Sequence, residues 1–232
     1  MSISSLDPVL KQAFEPRSPG VRLRLQTMRQ LADAGILVGT ALMPVLPFAG
    51  DDQAHLEDVV SATIDHGGSF VLAGGLTMSG IQAGRTLEAL RRFAPDLEAQ
   101  WRDLYGWDTG AQPNYSPPRA YAARLGLLIR ELCARRGLTD RMPRYIPSGP
   151  LATNKRIAEF LFLKTYDLEL EGAQEYRIWT YRKAAWAVDE WPESIAHVFQ
   201  ARGEAGLREL PGIGKSLAAE IGGWLTDESL EH

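Results

Sequence analysis

A short turn between two helical patterns constrains this chain more than any other stretch. It lies in "ELPGIGKSLAAEIGGWL", from Glu209 to Leu225. Pro211 stops whatever helix precedes it, because it has no N–H to continue the ladder. Gly212 and Gly214 permit positive φ and let another backbone come close. Ile213, between them, is apolar and is expected to plug the space between the two flanking helices. The chain then enters a helix directly at Lys215 and Ser216, with Ala218 and Ile221 inward. The first turn of such a helix has N–H groups without partners and a partial positive charge, which together attract an anion such as phosphate.

The run "GLRELPGIGKSLAAEI" fits the helix-hairpin-helix pattern. Gly212, Ile213, Gly214, Lys215 and Ser216 are therefore the candidate DNA-binding residues. They would touch the sugar-phosphate backbone, so binding would be largely independent of sequence. Upstream, "QEYRIWTYRKAAWAVDEWPESI" carries Tyr181, Arg182, Lys183, Ala184, Ala185 and Pro192. With Leu210 to Gly214, these residues make about 153–226 resemble the small N-terminal domain of the family X (polymerase-beta type) DNA polymerases. The resemblance implies binding to gapped or nicked DNA, and it adds Tyr181, Arg182 and Lys183 to the candidate DNA contacts. Some members of the family also cleave a sugar-phosphate remnant through a lysine Schiff base. The corresponding position here is Glu220, so that chemistry is not carried over, and no catalytic residue is assigned. Tyr181–Lys183 also fit a solvated helix face around a core tyrosine. Trp179, Trp186 and Trp191 fit either base-stacking groups or core residues, and the core reading is the commoner one for tryptophan in such a helix.

Charge weighs against a strong nucleic-acid footprint. Residues 1–150 hold 16 Lys/Arg against 15 Asp/Glu, a net of +1, and residues 151–232 hold 9 against 14, a net of −5. Nucleic-acid binders usually show a basic surface. The single cysteine, Cys133, excludes an internal disulfide. With only four histidines beside it, a zinc or iron–sulfur site built from this sequence alone is not expected, and Cys133 is expected to be a buried, inert thiol. No apolar run approaches the roughly 18 residues of a membrane span, and the N-terminus lacks the pattern of a signal peptide. A cytoplasmic protein that does not enter membranes is the expectation.

The first half alternates differently. Ser2–Ser4 is strand-like, and Asp7-Pro8 opens a brief helix through Phe14. Ser18 is expected to cap a helix with Pro19 at its first position, and Val21, Leu25, Met28, Leu31 and Ala32 follow at helical spacing. Ile36–Pro47 and Gly68–Met78 are apolar runs of strand length, which suits a parallel sheet buried on both faces. The helix of Asp51–His66 lies between them, so the order is strand, helix, strand, helix, strand. Asp65-His66, at that helix end, fits a capping role better than an acid–base pair. The glycines of "AGGLTMSG" (Ala73–Gly80) sit at a strand end, where parallel sheets bind ligands.

Ser2, Ser4, Leu6, Asp7, Pro8, Glu15, Pro16, Arg17, Pro19, Ala34, Gly35, Ile36, Val38 and Gly39 occur in an order that resembles the later part of a radical SAM barrel. The resemblance covers about residues 1–80 and is closest to the spore-photoproduct-lyase-like branch. It implies S-adenosylmethionine and a 4Fe-4S cluster in a full-length protein. The cluster's Cys-x3-Cys-x2-Cys loop would precede this region and is not in the sequence, so no cofactor is expected within the chain. By position, Ser4, Arg17, Thr40 and Met43 are candidates for part of the S-adenosylmethionine cradle. An ion pair of Arg17 with Glu15 is the structural alternative.

The expected fold is therefore α/β followed by all-α, mostly helical overall. Residues 1–150 would form a partial parallel βα barrel with a helical extension. Residues 151–229 would form a helix-hairpin-helix DNA-binding domain, and residues 230–232, "LEH", match the start of a vector-encoded tag. Such a chain would be the DNA-binding portion of a radical SAM protein in DNA repair or nucleic-acid processing, its earlier strands lying upstream. The alternative is a non-catalytic scaffold or protein-interaction module. The exposed edge of a truncated sheet also gives an expectation of homodimers.

Overall fold

The computed structural model describes residues 1–78, 80–107 and 116–227. Ser79 of the glycine-rich strand end and residues 230–232 lie outside them. The chain separates into two compact units between Pro143 and Arg144. Helices dominate both. Among the described residues no helix is long and apolar enough to cross a membrane.

The first unit is built on a parallel layer. Strands β1 (Thr40–Val45) and β2 (Val71–Gly75) pair in parallel, with Thr40 opposite Val71 and Leu42 opposite Ala73. Single bridges extend the layer on both sides, Ser2 to Ala41 and Phe70 to Thr139, both parallel. The bridge at Thr139 follows α6 (Arg119–Arg135) and was not expected from the sequence. Helices α1 (Pro8–Phe14) and α2 (Val21–Asp33) lie in the chain between Ser2 and β1, and α3 (Gln53–Asp65) lies between β1 and β2. After β2 come α4 (Gly80–Phe93), a 3-10 turn (Pro95–Leu97), α5 (Glu98–Tyr105) and α6. The described residues thus form an open layer and not a closed barrel.

The core follows the expected periodicities. Leu42, Val45 and Val71 from the strands pack with Leu56, Val59 and Val60 of α3 and with Leu125, Ile129 and Leu132 of α6. Met28 of α2 is fully buried beside Ile3 and Val38. Asp52 caps α3 through the His55 N–H at 3.0 Å. At its other end His66 Nδ1 meets the Ala62 carbonyl at 2.8 Å, a capping contact. The strands are shorter than the apolar runs. Ile36 and Leu37 remain exposed because β1 begins only at Thr40.

Ser18 does not cap α2, which starts at Val21 behind Gly20 with no side-chain cap. The Ser18 hydroxyl is used elsewhere, in a clasp around Arg24. That side chain is buried and donates to the carbonyls of Ser2 (2.7 Å) and Pro19 (3.0 Å), to Glu15 (2.6 Å) and to Ser18. Ser4 donates to the same Glu15 carboxylate. Glu15 thus pairs with Arg24 and not with Arg17, the structural alternative offered for that residue, and Arg17 is exposed. The buried arginine is tolerated because its charge is paired and its donors are filled.

The second unit is all helical: α7 (Ala152–Leu170), α8 (Glu175–Glu190), α9 (Ile195–Leu207) and α10 (Lys215–Thr226). Gly203 has φ 58° and ψ −152°, so α9 is two helical pieces joined at a kink. Ile157, Leu161, Ala184, Val188, Val198, Leu207, Ala218 and Ile221 form one core. Two glycines allow α9 and α10 to close on each other and on themselves. A Cβ on Gly222 would meet the Phe199 ring at 2.9 Å, and one on Gly206 would meet Val198 at 2.9 Å.

The clasp generates a pH prediction. Burial works to raise the Glu15 pKa, but hydrogen bonds from Ser4, Arg24 and Ser18 and the charge of Arg24 hold it below its ordinary value of 4.5. A carboxylate held low contributes stability at pH above its unfolded pKa and loses it as pH falls through the folded one. Acid unfolding followed by circular dichroism should therefore show a shallower loss of stability below about pH 4.5 in Glu15→Gln than in the parent chain.

Candidate nucleic-acid interface

The hairpin is assembled from its buried residue outward. Ile213 is 4% exposed and packs with Leu207, Leu210, Leu217 and Ile221. Its N–H bonds to the Leu210 carbonyl at 3.1 Å, which closes the turn. Ile213 therefore positions the turn and does not offer a side chain to a ligand. Pro211, Gly212, Gly214, Lys215 and Ser216 are exposed around it.

Of the two glycines that permit positive φ, only one adopts it. Gly212 has φ 76°, a left-handed conformation that costs other residues energy. Gly214 is the N-cap of α10 with φ −85° and ψ 180°, which any residue adopts. A Cβ built on Gly214 meets nothing within 4 Å. Neither the backbone nor the packing of this unit requires glycine there. No side chain caps the first turn of α10, so that turn presents its N–H groups behind an unobstructed glycine.

The candidate residues of α8 point three ways. Tyr181 is partly buried against the core, and its hydroxyl donates to Glu220 at 2.8 Å. Burial first, and then the Glu220 carboxylate, raises the Tyr181 pKa. The position that carries the lysine in family X domains thus holds a carboxylate engaged with a tyrosine, and a carboxylate cannot form a Schiff base. Arg182 is ion-paired with Glu169 of α7 and lies 4.8 Å from the Trp179 ring centroid. Lys183 is exposed and, among the described residues, has no ion-pair partner.

The tryptophans divide too. The commoner expectation of core residues fails for Trp179 and Trp186, which are 38% and 44% exposed. Their rings lie 6.2 Å apart, as the seven-residue spacing on one helix face requires. Trp191 packs against the core. Lys183, Trp186, Ala187, Glu190, Trp191, Pro211 and Gly212 line an open cleft of about 400 Å³. Glu190 and Pro211 were not singled out from the sequence as ligand contacts, because nothing local in it shows that the end of α8 faces the turn.

The cofactor candidates of the first unit do not converge. Thr40 is fully buried and shares a 2.6 Å hydrogen bond with Thr63 of α3. Ser4 is committed to Glu15, Arg17 is exposed, and Met43 is 39% exposed near Gly74. The 4Fe-4S cluster implied by the resemblance does not fit the donors of this chain. Its one cysteine, Cys133, is buried on α6, and burial first, then the charge of Asp140, pushes the thiol up to about 12, far from the thiolate that a cluster binds.

Comparison with known proteins agrees with the hairpin geometry. Residues 152–230 match the family model described as "Helix-hairpin-helix domain". The C-terminal unit is a helix-hairpin-helix domain. The chain is also similar to the uncharacterized proteins Rv2578c and MT2655 of Mycobacterium tuberculosis and Mb2609c of Mycobacterium bovis. Each is 28% identical over 115 residues, which is 50% of this chain and 34% of the relative. The matched stretch thus spans about a third of the length of these relatives. No solved structure matches.

The unlike glycines of this domain predict unlike mutants. Gly212→Ala should lower stability by about 1 kcal/mol, the cost of a left-handed alanine. Gly214→Ser should leave stability unchanged or raise it by up to about 1 kcal/mol, since serine caps the first turn of α10 and stiffens the unfolded chain at a compatible φ. Urea denaturation of the two variants checks this, and equal losses would contradict it.

Proposed function

We propose that the helix-hairpin-helix domain binds DNA through its sugar-phosphate backbone, without sequence preference. The observation that carries this reading is Gly214. The fold does not need a glycine there, yet one sits in front of the uncapped first turn of α10, between Gly212 and the exposed Lys215 and Ser216. A phosphate brought to that turn would accept from backbone N–H groups, gain from the helix dipole, and face a lysine that has no ion-pair partner among the described residues. Lys183, across the cleft from Gly212, supplies a second cation. Glu220 is held by Tyr181, and its negative charge would turn a phosphate away from that side of the hairpin.

The wider reading is that this domain delivers a larger protein to DNA. It rests on the motifs that residues 1–80 share with spore-photoproduct-lyase-like radical SAM proteins, which would place that protein in DNA repair. No step of that chemistry is assigned to residues of this chain. The second reading, a protein-interaction module, is favoured by the net charge of −5 over residues 151–232.

Salt separates the two. Anisotropy of a labelled duplex titrated with the full chain should show affinity falling linearly with log salt, with a slope of about 0.9 for each phosphate neutralised. Lys215→Gln should lower that slope by about one. Gly214→Val should abolish binding while the domain stays folded. Binding that does not respond to salt, or its absence in low salt, would favour the protein partner.

A further inference from the structure

We propose that the cleft between α8 and the hairpin turn takes an unpaired nucleobase, while the turn holds the phosphate beside it. This rests on the reading of the domain as a DNA binder and adds a specificity to it, a preference for single strands over closed duplex.

Three observations meet in the cleft. Its wall is aromatic and largely apolar, built from Trp186, Trp191, Ala187 and Pro211. Trp186 is 44% exposed and lines the cleft. Tryptophan is enriched where binding energy concentrates, and base–aromatic stacking accepts any base because every base has a π-face. The indole N–H of Trp191 is buried and, among the described residues, has no hydrogen-bond partner.

The rim fixes the orientation. Lys183 and Glu190 both line the cleft, and neither has an ion-pair partner among the described residues. A phosphate is drawn to Lys183 and repelled by Glu190, whose carboxylate can instead accept from an exocyclic amine. Gly212 lines the same cleft, so the occupant is contiguous with a backbone seated on the turn. An apolar peptide would use the aromatic wall but would leave the phosphate-facing turn and Lys183 without a role. The aromatic surface also continues along α8. Tyr176 is 71% exposed, and the Trp179 ring lies 6.2 Å from that of Trp186, tilted by 57°, with the Arg182 guanidinium 4.8 Å from its centroid. A neighbouring base therefore has a second platform.

The test compares a fluorescein-labelled mixed-sequence single strand with the blunt duplex of the same sequence, both titrated with the full chain. Trp186→Ala should weaken single-strand binding about ten-fold or more and leave duplex binding nearly unchanged. Trp186→Phe, which keeps a ring face, should recover most of the loss. If Trp186→Ala leaves single-strand binding unchanged, or weakens both ligands equally, the base site is wrong and the backbone reading stands. If the parent chain binds neither ligand, both readings fall together.

Discussion

The burial of Ile213 is the contact on which the ligand-facing surface depends. Removing a side chain of this size from water contributes about 2–3 kcal/mol, and here that burial sits in the middle of a turn. With Ile213 among Leu207, Leu210, Leu217 and Ile221, the glycines on either side of it remain exposed. The opposite wall of the cleft is fixed by a polar counterpart. Asn154, fully buried on α7, donates to the carbonyls of Trp191 (3.2 Å) and Glu193 (2.8 Å) and accepts from the Ile195 N–H (3.0 Å). It holds the segment between α8 and α9 that carries Trp191. Such a network stabilises only because each member is satisfied. The backbone of this segment is thus held by Asn154, whereas Lys183 and Glu190 at the rim have no ion-pair partner among the described residues.

What could be read in the sequence was what is local. The hairpin was legible because proline, two glycines and the apolar spacing act within a few residues of one another. The α3 helix was legible for the same reason, from Asp52 to Thr63. What could not be read depends on tertiary partners. The periodicity of α8 places Trp179 and Trp186 on one face but does not say whether a helix covers that face, and among the described residues both rings stay partly exposed. Arg24 shows the reverse. An arginine in an amphipathic helix is expected outside, and only the approach of Ser2, Glu15 and Ser18 makes its burial tolerable. Pairing by single bridges, as at Thr139, leaves no pattern at all. Of the candidate site, the turn residues were legible by position, while the other wall of the cleft was not.

The acidic balance of the C-terminal unit decides what kind of binder it can be. Several of its carboxylates are committed. Asp189 lies between Arg144 (2.6 Å) and Lys155 (3.0 Å), Glu169 pairs with Arg182, and Glu209 pairs with Arg202. These pairs cancel locally but do not alter the net charge of −5 over residues 151–232. At a distance the domain therefore repels a polyanion, and electrostatic steering works against encounter. That repulsion is screened beyond about 8 Å at physiological ionic strength, whereas contacts at the turn are shorter and less screened. On the proposed reading, binding would draw on what lies within reach of the surface: backbone N–H groups, two lysines with no ion-pair partner among the described residues, and exposed indole rings. A domain with few phosphate contacts and a stacking platform would gain little from any stretch of closed duplex and more from a strand whose bases are free, so the charge balance that would weaken general DNA binding would sharpen a preference for unpaired bases.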